Sequence, residues 1–177
     1  MKHIMIDLET MGLRPDAAII SIGAVHFNAT EVVSKFYTPV SLASCLAAGL
    51  TQDQSTVDWW AKQSPEARAA WQTEDAPSFE DAMIKFTGWV REVGPEREIA
   101  PWGNGPDFDL VILTSAYRAL HAETPWRFYN HHCFRTMKNL FIVGAPPRAG
   151  THHNALDDAM HQVAHLQTIL NVHRIRL

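Results

Sequence analysis

KHIMIDL (residues 2–8), AIISIGAVHF (18–27) and EVVSKFYTP (31–39) are three β-prone segments separated by short polar breaks, and their spacing decides the fold class. The triplet Asn28-Ala29-Thr30 makes the second break a tight turn. Connections this short join antiparallel neighbours, because a parallel pair needs a crossover of a dozen or more residues. The chain is therefore expected to open with an antiparallel three-strand meander. Its first strand ends in an acidic residue, and its second carries small residues on one face.

Working outward, helical spacing is expected at 41–49, across 56–71 with a break at Pro65, and at 78–93, 107–121, 133–143 and 154–172. The 78–93 segment places Phe79, Met83, Phe86 and Trp89/Val90 along one face, with Ser78 as N-cap and Asp81 three residues later. The last segment repeats the pattern with Leu156, Met160, Val163 and Leu170. Residues 98–103, EIAPWG, read as a strand, and 145–152 as a loop. The order of elements gives an α/β fold with a mixed central sheet flanked by helices. Its 177 residues supply one substantial core but not comfortably two, so a single domain over 1–177 is expected.

Composition narrows the function. A hydrophobic fraction of 46% and a charged fraction of 19% describe an ordinary globular chain. No apolar run is long enough to span a bilayer, and Asp7 and Glu9 interrupt any signal-peptide core, so a cytoplasmic location with no membrane partner is expected. Cys45 and Cys133 stand far apart without CxxC spacing and read as free buried thiols. A net charge of −4 argues against a protein that wraps long duplex DNA. It does not exclude an enzyme gripping a few terminal nucleotides.

Three short stretches carry chemistry. In Asp7-Leu8-Glu9 the side chains of a strand alternate, so both carboxylates share a face. They repel unless a cation lies between them, and Mg²⁺ favours such oxygen ligands; a solvated strand end is the plainer alternative. In Asn104-Gly-Pro-Asp-Phe-Asp109, Asp107 is placed as N-cap and Asp109 is free to point elsewhere, although both also suit a helix N-terminus as favourable charges. In His153-Asn-Ala-Leu-Asp-Asp158, Asn154 reads as N-cap with Asp157 as its capping-box-like partner. That leaves Asp158 beside His153, either as a base next to a metal ligand or as an ordinary helix start.

Taken together, Asp7, Glu9, Asp109, His153 and Asp158 follow the order D-x-E … D … H-x₄-D. With IDLETMGL (6–13), NGPDFD (104–109) and HNALDDA (153–159), the chain resembles the DEDDh, or DnaQ-like, 3′→5′ exonuclease superfamily. Within it the chain is most similar to the exonuclease VIII-like and mycobacterial-type exoribonuclease group. The resemblance implies an RNase H-like fold and a two-metal mechanism with Mg²⁺ or Mn²⁺. Asp7, Glu9, Asp109 and Asp158 would be the metal ligands and His153 the general base. It also implies substrate contacts from Thr10, Met11, Leu13, Asn104 and Phe108: Leu13 as a wedge against the terminal base, Phe108 as a stacking ring. The implied partner is the 3′ end of a single-stranded DNA or RNA, with DNA slightly favoured, and several relatives are homodimers.

Leu13 and Phe108 also read as core, and Asn104 as a residue that only shapes its Gly-Pro turn. Trp59, Trp60, Trp71, Trp89, Trp102 and Trp126 are most simply core or interface. The pairs His131-His132 and His161/His165 lack cysteines at finger spacing, so zinc is not expected. Two other functions fit the same fold: a nucleic-acid-binding module with a dead site, against which all five positions are filled, and an RNase H-like endonuclease, which usually lacks the H-x₄-D ending.

Overall fold

The computed structural model describes residues Met1–Leu177. β1 (Lys2–Thr10), β2 (Ile19–Phe27) and β3 (Val32–Pro39) form the expected antiparallel meander. β4 (Ile99–Gly103) pairs with β1 in parallel, and a two-residue β5 (His132–Cys133) pairs with β4 in parallel. The sheet order is β3-β2-β1-β4-β5. The long crossover from β3 to β4 holds α1 (Leu42–Ala47), α2 (Gln54–Trp60), α3 (Pro65–Ala69) and α4 (Phe79–Val93). α5 (Asp109–Ala119) follows β4, and α6 (Phe134–Leu140) and α7 (Ala155–His173) end the chain.

Two apolar layers cover the sheet. Ile4, Ile6 and Leu8 of β1 pack with Phe79, Met83, Phe86 and Val90 of α4 and with Leu110 and Leu113 of α5. Met5, Val25 and Phe27 pack with Trp102, Phe134 and the α7 residues Val163, Leu166 and Ile169. Burying each large side chain contributes roughly 1.5–3 kcal/mol. The period of two in β1 matters for function: Asp7 and Glu9 share the parity of Met5, so they face α7.

α7 comes unusually close to the sheet. A Cβ built at Gly23 would collide with the backbone of Ala155 and Leu156, so only glycine lets the first turn of α7 rest there. Gly23 is the register partner of Asp7, and the contact therefore sets Asp7 beside the start of α7.

Several local expectations change. α5 begins at Asp109, with Phe108 at the cap position and no side-chain cap, so Asp107 is not the N-cap; it is exposed. The turn over 105–108 must deliver Asp109 to the backbone amides of Leu8 and Asn104, and that requirement delays the helix by two residues. α6 stops at Leu140 rather than 143, with Phe141 extended. The short β5 was not anticipated, because two residues carry no periodicity. Cys45 is buried, but Cys133 is only half-buried, and its Sγ accepts the Thr136 N–H at the start of α6. Ser78 and Asn154 cap α4 and α7 as expected. Asp157 reaches past the cap to accept the Thr151 N–H at 2.7 Å rather than closing a capping box on Asn154. No helix is long and apolar enough to cross a membrane.

Candidate active site

Three distant segments deliver four carboxylates to one place. Asp7 and Glu9 come from the end of β1, Asp109 from the first turn of α5, and Asp158 from the first turn of α7. The Asp109 carboxylate is fixed from both sides, one oxygen accepting the Leu8 N–H at 3.2 Å and the other the Asn104 N–H at 2.9 Å. The first of these bonds uses a β1 amide beyond the end of the β1–β4 ladder, which stops at Met5 and Trp102. Asp7 accepts from Gln162 Nε2 at 2.6 Å. Asp158 accepts the His153 N–H at 3.1 Å on one oxygen and the Arg148 guanidinium on the other.

His153 sits in the left-handed region at φ 61°, a conformation that non-glycine residues adopt rarely. That turn, with the amide bond to Asp158, brings the imidazole to the carboxylates. Ligand atoms of Glu9, His153 and Asp158 all lie within 4.8 Å of one another. The ring is held edge-on by Trp59, with centroids 4.8 Å apart, and lies 6.4 Å from Trp60.

The electrostatics are those of crowded buried acids. Burial, then Asp109, Glu9 and Asp158, push Asp7 well above the usual carboxylate range. Burial, then Asp158 and Asp109, push Glu9 up to about 8, against a smaller pull from Arg148. Burial lifts Asp109 to about 6, although the amides of Asn104 and Leu8 oppose it. Burial lowers His153 below the usual imidazole value, with Asp158 opposing. The imidazole is thus neutral at pH 7 and able to accept a proton.

The donor set fits hard divalent cations. All four carboxylates offer oxygen, no thiolate is near, and one guanidinium is the only cationic side chain paired with the group. The side-chain oxygens Gln162 Oε1 and Asn104 Oδ1 are buried at the edge of the cluster without partners.

A groove of about 360 Å³ opens from Glu9 and is lined by Leu8, Thr10, Leu13, Ser55, Thr56, Trp59, Trp60 and Phe108. Leu13 is 74% exposed there and Phe108 is half-buried, so neither is simply core. Thr10 borders the groove, but its hydroxyl donates to Gly12 O and its carbonyl accepts Trp60 Nε1. Met11 belongs to the apolar core at 3% exposure, with its amide and carbonyl both bonded within the protein, so its side chain is not placed for substrate. Asn104 stands beside Asp109 rather than in the groove. A larger depression of about 750 Å³, between Ala29–Thr30 and the later turns of α7, holds no carboxylate or histidine.

Sequence reasoning missed three residues of the site. Trp59 reads from the sequence as core or interface, and it is 41% exposed in the groove; two adjacent tryptophans on one helix turn lie about 100° apart, so only one faces inward. Gln162 follows Asp158 by four residues on α7, a spacing that puts both on one face and could have revealed it. Arg148 gave no local signal. Three of the four tempting histidines are otherwise engaged: His131 accepts Trp126 Nε1, His132 pairs with Asn130 O, and His165 with Val143 O.

Comparison with known proteins gives the family and the fold. Residues 2–170 match the family model described as the 3′-5′ exoribonuclease Rv2179c-like domain. An exodeoxyribonuclease of enterobacteria phage T4 is 32% identical over 130 residues, which cover 67% of this chain and 56% of that protein. The chain thus spans little more than half the length of that relative. The nuclease domain of 3′hExo, a DEDDh family member solved with bound rAMP, superposes with a TM-score of 0.66 at 15% identity, over 97% of this chain and 92% of that one. Exonuclease X, solved with a 5′-overhanging duplex DNA, gives 0.56 at 20% identity over 96% and 92%. Those two likenesses show the fold, a mixed α/β sheet of the RNase H-like kind. The family match over nearly the whole chain decides the family: this chain belongs to the family of 3′-5′ exoribonuclease Rv2179c-like domains.

Proposed function

We propose that the chain removes nucleotides one at a time from the 3′ end of single-stranded nucleic acid, with divalent metal ions held by Asp7, Glu9, Asp109 and Asp158. The observation that carries this reading is the convergence of four carboxylates from three segments beside a neutral imidazole. Two ions, Mg²⁺ or Mn²⁺, would supply stabilisation of the attacking and leaving oxygens of an in-line displacement at phosphorus. Asp7, which lies among Glu9, Asp109 and Asp158, would contribute its carboxylate to holding these ions. His153 takes the proton of the attacking water, and the Trp59 edge holds the ring in place for it. Leu13 and Phe108 receive the terminal base in the adjoining groove, where contact through an apolar wedge and a ring face tolerates any base.

Single-stranded DNA is the favoured substrate in this reading, supported by the phage exodeoxyribonuclease at 32% identity. RNA is the second reading, supported by the exoribonuclease family description. Matched 5′-labelled single-stranded DNA and RNA, incubated with Mg²⁺ and with Mn²⁺, test both. A ladder shrinking by single nucleotides on DNA at a higher kcat/KM than on RNA is expected. Faster digestion of RNA overturns the DNA preference, and no ladder on either overturns the activity.

A further inference from the structure

Arg148 is the one basic side chain paired with the carboxylate cluster, and its bonding is incomplete. A single guanidinium nitrogen reaches both Asp158 Oδ1 and the Thr151 carbonyl, the latter at 3.2 Å, while the buried Nε has no partner. The side chains of Arg148 and Asp158 are each only 19% exposed. Asp158 in turn has its second oxygen committed to the His153 amide. Among the four acids, Asp158 alone forms a direct ion pair; Arg135 acts on Asp109 only as the weakest of its influences. Arg148 also sits on the 141–153 segment, which has no regular structure and is tied down at few points, one being the His165–Val143 bond.

We propose that Arg148 is an exchangeable counter-ion, holding Asp158 until a divalent cation binds there and then passing to a phosphate oxygen of the substrate. The inference rests on the metal-dependent reading above. A guanidinium and a divalent cation cannot both claim Oδ1 without strong repulsion, so the two compete. Arginine has five N–H donors in a rigid fork suited to phosphate, and the orphaned Nε leaves part of that fork unused in the present pairing. A phosphate at the cluster offers the acceptors it lacks. The exchange keeps a cation beside Asp158 at every stage, which keeps the His153 turn anchored to the start of α7.

The test is Mn²⁺ calorimetry on chelator-stripped protein together with steady-state kinetics on a single-stranded oligonucleotide at saturating Mn²⁺. It compares wild type, Arg148→Gln and Arg148→Lys, with folding checked by circular dichroism. Removing the competing charge in Arg148→Gln is expected to tighten Mn²⁺ binding by about tenfold or more. Arg148→Lys keeps the charge and is expected to bind Mn²⁺ like wild type. At saturating Mn²⁺ the Gln variant is expected to show a KM raised about tenfold, with Lys between the two, because a point charge replaces a fork. Equal or weaker Mn²⁺ binding by Arg148→Gln overturns the competition, and tighter binding with unchanged KM and kcat overturns the transfer to phosphate. Wild-type protein that binds no Mn²⁺ overturns the metal reading itself, a result distinct from both.

Discussion

Glu9 should make the metal-free protein lose stability as the pH rises through neutrality. Its carboxyl holds a proton up to about 8 in the fold, against an ordinary value of 4.5. A carboxyl with a raised value in the folded state binds protons more tightly there than in the unfolded chain. Its stabilising contribution is therefore present at low pH and is lost as pH rises through the folded value. Between pH 6.5 and 8.5 those two values give a loss of about 2 kcal/mol. For a chain of this length that lowers Tm by about 4–8 °C. Histidines with lowered values, such as His3 at about 4, act in the opposite direction but only below 6.5, outside this window. The assay is thermal unfolding by circular dichroism in EDTA, repeated in saturating Mn²⁺ and with Glu9→Gln. Wild type in EDTA should show the fall. Mn²⁺ should raise Tm most at the upper end, where protons no longer compete for the ligands. Glu9→Gln should lose the Glu9 share of the slope and keep that of Asp7, whose carboxyl is also raised. A wild-type Tm in EDTA that is flat or rises across the window, or a fall equally steep in Glu9→Gln, refutes the reasoning.

Asp109→Asn and Asp158→Asn should abolish turnover while leaving the circular dichroism spectrum intact, whereas Asp107→Ala should be near neutral, since it caps nothing. Asp157→Ala should cost about 1 kcal/mol in chemical denaturation through the lost Thr151 bond. His153→Ala should slow single-turnover chemistry by roughly 10²–10⁴-fold, and the wild-type rate should fall on the acid side as the imidazole protonates; near-normal turnover there, with the loss in His152→Ala instead, moves the base one residue upstream. Trp59→Ala should slow single-turnover chemistry, because the ring that holds His153 in place is lost; an unchanged rate contradicts that role. Gly23→Ala should destabilise by about 1–3 kcal/mol or more, because the added methyl meets the α7 backbone.

The opening meander was legible because turn length and strand composition are local properties, and β1 to β3 form within a residue or two of their expected limits. The five polar residues were legible as three fragments, and their order completed the pattern. What stayed hidden depends on long-range packing. The start of α5 is set by hydrogen bonds from Leu8 and Asn104 to Asp109, and nothing near Asp107 reports that. The two residues of β5 are a strand only because β4 is beside them. The environment of Met11 depends on the return of β2 and the α2 region, and that of Trp59 on which of two adjacent tryptophans the core accepts. Arg148 meets Asp158 through an irregular loop, where no periodicity gives a side chain its direction.

The central claim is that hydrolysis starts at a free end and needs metal. Matched linear and covalently closed single strands of one sequence, internally labelled and incubated with Mn²⁺ or with EDTA, test it most directly. The account predicts that the linear strand is reduced to mononucleotides in Mn²⁺, that the closed circle stays intact, and that neither is touched in EDTA. Cleavage of the circle, or undiminished digestion of the linear strand in EDTA, would contradict it.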